Sequence, residues 1–207
     1  MKRSVEHKVK AMIKRYRIVR LEDVCRELDV DQEATQEHLA HHRRLQSITS
    51  VDGTTVVVSR SKPPPSEVAI ARAVATYQFC QNEPTRPRLL THRDIETYFP
   101  SVFRKGLPSS YYVRDANRLP VLGLLRVDTN LKPIARLLSK SDAMVQRHLK
   151  QGEFRQLQRS DQFELTWLVP TAAKKRSLEL NIASHRIHHV AIRAFVVPEL
   201  LEMLAPL

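Results

Sequence analysis

The sequence predicts an α+β protein in two parts: a helical N-terminal segment closed by a β-hairpin, then an α/β segment in the order α-β-β-α-β-α-β-α. Asp52-Gly53 stands between the β-rich runs SITSV and TTVVVS, the strongest short-range hairpin signal. Ser61-Lys62-Pro63-Pro64-Pro65-Ser66 continues neither a strand nor a helix through its prolines, and so divides the chain into residues 1–60, a linker at 61–66 and residues 67–207. Beyond the linker, segments of helical period alternate with short apolar runs rich in β-branched and aromatic residues.

Taken in order, residues 5–17 carry Val5, Val9, Met12 and Ile13 at helical spacing among Lys8, Lys10, Lys14, Arg15 and Arg17, which predicts a basic first helix. RLEDVCRELDV (20–30) places Leu21, Val24, Cys25 and Leu28 on one face of a second. Asp31 is a natural N-cap for a third, DQEATQEHLAHHRRLQ, because its carboxylate accepts from first-turn N–H groups. After the linker, 67–81 reads as a mostly apolar helix ended by Pro84 and Pro87. Thr91 caps HRDIETYFP, and Arg104, Lys105 and Gly106 follow in a basic loop. SSYYVRDA (109–116) and VLGLLRVD (121–128), joined by the turn Asn117-Arg118-Leu119-Pro120, read as adjacent strands. A helix over 131–149 comes next, then GEFRQLQRSDQ as a short helix or turn. FELTWLVP (163–170) has the continuous apolar run of a buried central strand, with Trp167 in the core. A helix over 171–186, a strand over 188–197 and the closing helix PELLEMLAPL complete the chain.

The helix over 131–149 has the cleanest periodicity. At about 100° per residue, Lys132, Arg136, Lys140, Arg147 and Lys150 fall within a quarter-turn, while Ile134, Leu137, Leu138, Met144, Val145 and Leu149 lie opposite. One side is suited to a core and the other to an anion. Asp115 and Asp128, near the ends of the two preceding strands, are expected to present carboxylates close to that basic helix, as a phosphodiester-handling site requires.

Thirty-four Lys and Arg against 22 Asp and Glu give 207 residues a net charge of +12, which favours nucleic acid or an anionic membrane surface as partner. Hydrophobic residues make up 42% of the chain, enough for a folded core. No apolar run approaches the ~18 residues of a membrane span, and MKRSVEHKVK lacks the apolar centre of a signal peptide. A cytoplasmic protein with no membrane partner is expected. Cys25 and Cys80 are too few for a zinc or disulfide framework and are expected in the core. His38, His41 and His42 have no further ligands at suitable spacing and are read as helix-surface or partly buried residues rather than a metal centre.

Three short helices followed by a hairpin is an order that resembles the winged helix family over about residues 4–60. That resemblance implies a third helix in the major groove, with Gln32, Thr35 and Gln36 near base edges and Arg43, Arg44 and Arg60 on phosphates. Gln reads adenine bidentately, but Glu33 and Glu37 share the helix and face a polyanion unfavourably. The alternative is a winged helix used for dimerisation or protein contact.

The order from Thr91 resembles the core of the PD-(D/E)xK restriction-endonuclease-like nucleases. Joined to a winged helix, it is similar to the replication-relaxation proteins of plasmids and the MobC-type mobilisation relaxases. The residues that carry this are Arg114-Asp115, LLRVDTN (124–130), and FELTWLVPT with AAKKRSLELNIAS. The resemblance implies Asp115 and Asp128 as catalytic carboxylates and metal ligands, with Lys132 assisting from the helix start. No cofactor is expected unless that core is active, in which case Mg²⁺ or Mn²⁺ is implied. Asp128-Thr129-Asn130 supplies no lysine two residues after the acid, and Arg126 stands where a relaxase-like relative has glutamate. A catalytically degenerate core is therefore expected.

The leading expectation is a double-stranded DNA-binding protein of a plasmid or mobile element, acting in transcription, replication or mobilisation. It would work as a homodimer, as helix-turn-helix proteins read paired half-sites. A metal-dependent DNA-nicking enzyme and a protein-assembly adaptor are the alternatives.

Overall fold

Val56, Val57 and Val58 are buried in succession because the strand they form is covered on both faces. Val57 packs with Val9, Ile13, Leu21, Val24 and Leu39, and its two neighbours with Ile18, Ile70 and Val74. The computed structural model describes residues 3–60, 63–103, 110–116, 119–184 and 189–204. Several expected features lie outside these: the basic loop at Arg104–Gly106, the Asn117-Arg118 turn, and the junction at 185–188. The chain divides into two compact units, Met1–Tyr77 with Glu202–Leu207, and Gln78–Leu201.

In the first unit, α1 (Arg3–Tyr16), β1 (Ile18–Arg20), α2 (Leu21–Leu28), α3 (Gln32–His41), β2 (Leu45–Thr49) and β3 (Thr55–Ser59) follow one another. The antiparallel sheet has the order β1-β3-β2, with Val19 and Ser47 both opposite Val57. Local chemistry sets the joints. Asp29 closes α2 in the left-handed conformation at φ 50°, and the Asp31 carboxylate accepts from Ala34 N at 2.8 Å to start α3. Gly53, at φ +84°, closes the turn between β2 and β3, where Asp52 accepts from Thr54 N at 3.0 Å. β1 was not expected, since three residues are too short to establish a period.

The boundary falls within α4 (Glu67–Asn82), not at the proline segment. The reason is packing: Ile70 and Val74 belong to the core under β3.

The second unit contains β4 (Arg88–Leu89), α5 (His92–Tyr98), β5 (Tyr111–Ala116), β6 (Leu119–Val127), α6 (Ile134–Leu149), α7 (Gly152–Arg159), β7 (Phe163–Val169), α8 (Ala172–Ser184), β8 (Ala191–Val196) and the first half of α9 (Glu199–Leu204). Its sheet runs β4-β5-β6-β7-β8, with β4, β5 and β6 antiparallel and β6, β7 and β8 parallel. The observed order adds β4 and makes GEFRQLQR a full helix. All of β7 is buried, as its central place requires. Thr91 and Asp94 form a reciprocal capping box at α5. One sheet face carries Tyr111, Leu122, Leu124, Leu165 and Trp167, packed with Leu137, Val145 and Phe154 of α6 and α7. On the other face Tyr112 lies across Gly123, where an added Cβ would meet the tyrosine ring at 2.0 Å. No described helix is long and apolar enough to cross a membrane.

Candidate nucleic-acid interface

α6 is oriented by its buried side. Leu137 and Val145 enter the core, and Ser141, fully buried, accepts from Trp167 Nε1 at 2.8 Å while donating to Leu137 O at 2.8 Å. These contacts fix the rotation of the helix and turn Arg136, Lys140, Arg147 and Lys150 to solvent, where all are exposed. Lys132 lies ahead of the helix, not on it, because Leu131 is left-handed at φ 48° and Pro133 forms the N-cap. Its backbone N–H donates to Asp128 Oδ1 at 3.0 Å. Lys140 and then Arg136 hold the Lys132 pKa below the ordinary lysine value. Among the described residues, none of these five cations has a carboxylate within ion-pair distance.

The expected carboxylate pair is not brought together. Asp115 is exposed and pairs across the sheet with Pro120, eight residues along β6 from Asp128. At about 3.3 Å per residue this separates the two acids by roughly 25 Å. Asp128 is 2% exposed, and its oxygens accept from Lys132 N and the Lys174 ammonium. Asp115 and Asp128 therefore cannot share a metal ion, and a Mg²⁺ or Mn²⁺ centre does not fit them. Arg114 pairs with neither acid: it donates to Glu164 from Nε at 2.7 Å and from Nη2 at 2.6 Å. Arg126 Nε approaches Met144 Sδ at 3.1 Å, and Arg118 lies outside the described residues.

Sequence reasoning missed the partners, Lys174 and Glu164. Lys174 is 46 residues from Asp128 and reaches it from the first turn of α8, capped by Thr171. Glu164, 1% exposed, is the acid inside the apolar run FELTWLV, and that oddity was the available signal. It also accepts from Tyr112, whose hydroxyl bonds Thr166 as well; Arg193 joins it to Glu83, donating to Glu83 at 2.6 Å and standing 3.6 Å from Glu164. Buried acids held this way brace the sheet.

In the first unit, Gln32 and Gln36 are exposed on α3 as expected. Gln32 also lines a polar cleft of about 310 Å³ with Arg20, Glu22 and the turn at Asp52–Thr55. Thr35 is 4% exposed and donates to Asp31 O at 2.6 Å, so it is part of the helix start and does not reach outward. Arg43 and Arg44 follow the end of α3 and are exposed. Arg60 donates to Leu45 O at 3.4 Å and Ala40 O at 3.3 Å, tying β3 to the end of α3.

Glu6, His38 and His42 bring ligand-type atoms within 4.8 Å of one another. Proton positions argue against a metal there. His42 Nδ1 accepts from Arg44 N at 3.0 Å and Leu45 N at 2.9 Å, so the ring proton is on Nε2, facing Glu6 Oε1 at 3.2 Å. A metal on Nε2 would force that proton to Nδ1, against two N–H donors. Lys10 and His42 draw the Glu6 pKa down to about 2. Cys25 and Cys80 are buried thiols.

No protein-family model matches the chain, and neither a curated protein nor a solved structure matches it.

Proposed function

We propose that the chain is a double-stranded DNA-binding protein whose affinity comes chiefly from α6. The observation that carries this is the exposed row of Arg136, Lys140, Arg147 and Lys150, continued by Lys132 and held outward by the Ser141–Trp167 bond. Cations without internal partners release condensed counterions when they meet phosphates, which is the sequence-independent part of DNA affinity. The order of the first unit and its β1-β3-β2 sheet support reading it as a winged helix. In that role Gln32 and Gln36 reach base edges while Arg43 and Arg44 contact phosphates. Glu33 and Glu37, also exposed on α3, limit its own affinity, so α3 selects and α6 holds.

Gel retardation of a short duplex tests this. Arg147→Glu/Lys150→Glu is expected to abolish retention, while Gln32→Ala/Gln36→Ala keeps retention and flattens any preference among sequences. Undiminished retention by the α6 variant would overturn the proposal.

A further inference from the structure

We infer that Arg88 and Tyr98 form a stacking platform for an unpaired base of a DNA strand. The inference rests on the DNA-binding reading and deepens it, naming an unpaired stretch beside the duplex as a part of the partner that this end of the sheet recognises.

The fold holds the two side chains against each other. Arg88 belongs to β4, which ends the sheet order, and lies opposite Val113. Tyr98 is the last residue of α5, turned outward because Ile95 and Phe99 enter the core. The Arg88 guanidinium carbon stands over the Tyr98 ring, 4.8 Å from its centre. Asp94, one helical turn before Tyr98, steadies the stack: its Oδ2 accepts from Thr91 N at 2.8 Å, and its Oδ1 faces Arg88 Nη2 at 4.0 Å. The carboxylate that starts the helix thus also brackets the arginine.

The stack stays open to a further layer. The Arg88 side chain is 42% exposed and Tyr98 46% exposed in spite of their contact. A guanidinium resting over one ring can take a second on its free side, and every nucleobase supplies such a ring. The base must be unpaired, since in a duplex the faces of each base are already covered by its neighbours. Arg86, exposed two residues before Arg88, and Arg93, exposed beside Asp94, add charge for the phosphates of the same strand. The exposed acid Glu96 is two residues from Tyr98 and so lies on the opposite side of α5, at about 100° per residue. Ile95 and Phe99 share a core cluster with Leu137 and Val145 of α6, so the platform and the cation row belong to one packed body.

The test uses the full chain and three duplexes of one sequence: blunt, with a single-stranded thymidine overhang, and with the same overhang made of abasic sites. Binding is measured by fluorescence anisotropy. The thymidine overhang is expected to bind about tenfold more tightly than the blunt duplex, the scale of one stacked base. The abasic overhang, which has the phosphates without the bases, is expected to add little. Tyr98→Ala and Arg88→Lys should each erase the preference for bases, the second by keeping the charge and losing the plane, while Tyr98→Phe should retain it. Equal binding of the two overhangs, or a preference that survives both Tyr98→Ala and Arg88→Lys, overturns the platform and leaves the duplex surface standing. No binding of the blunt duplex, with free oligothymidine bound by the wild type and lost in Tyr98→Ala, keeps the platform and removes the duplex surface. Binding of none of these probes removes both.

Discussion

At the scale of single residues, the charges sort by whether the protein has already used them. Asp128 and Lys174 are a nearly buried pair, and removing one partner strands the other. Lys174→Met is therefore expected to cost about 3 kcal/mol in urea denaturation. Asp115→Ala, at an exposed strand end far from that pair, should leave both stability and duplex retention at wild-type values. Glu6 is the opposite of a buried acid: Lys10 and His42 lower its pKa from 4.5 to about 2 from outside. Its contribution is complete above pH 4.5 and is lost as pH falls towards 2. Much at this scale was legible because it is local: the Asp31 cap, the Thr91 cap and the Asp52-Gly53 turn each bind a backbone group within three residues. What was not legible depends on distant chain. The register that puts Asp115 opposite Pro120 separates two acids that look adjacent in sequence, and Thr35 turns inward on a helix whose neighbours do not.

Among the elements, α6 carries most of the account, and its face was readable from period alone since four of its five cations are exposed, three on the helix and Lys150 at its C-cap. Its start was not, because Leu131 adopts a left-handed turn that places Lys132 outside the helix. Ser141→Ala leaves the Trp167 N–H buried without a partner, with an expected loss of about 1–3 kcal/mol and little change in DNA retention. The other end of α6 is sensitive to acid. His148 donates from Nδ1 to Met144 O at 2.7 Å and accepts at Nε2 from the Tyr111 hydroxyl at 2.7 Å, packed among Phe154 and Phe163. Burial lowers its pKa below 6.5, and Arg126 and Arg147 add to this. The unfolded chain thus takes up the proton first, so stability is flat above about pH 7 and falls as pH drops through 6.5. His148→Phe should remove that slope from urea midpoints measured between pH 7 and 5. The short strands β1 and β4 escaped sequence reading because two or three residues carry no period, and only pairing defines them.

For the molecule as a whole, the net charge of +12 is not spread evenly in effect. Acids occupy many cations: Asp23 takes Arg20 and Arg26, Glu6 takes Lys10, Glu164 takes Arg114 and Asp128 takes Lys174. The α6 row has no such partner among the described residues and so stays available to a polyanion. The most direct measurement is the salt dependence of duplex affinity for the wild type and for a variant with Arg136, Lys140, Arg147 and Lys150 all changed to Ala. The wild type should lose affinity steeply with salt, and the variant's slope of log K against log salt should be shallower by about 3 to 4, near 0.9 for each phosphate contact removed. Identical slopes and affinities for the two proteins would contradict the assignment of DNA binding to α6.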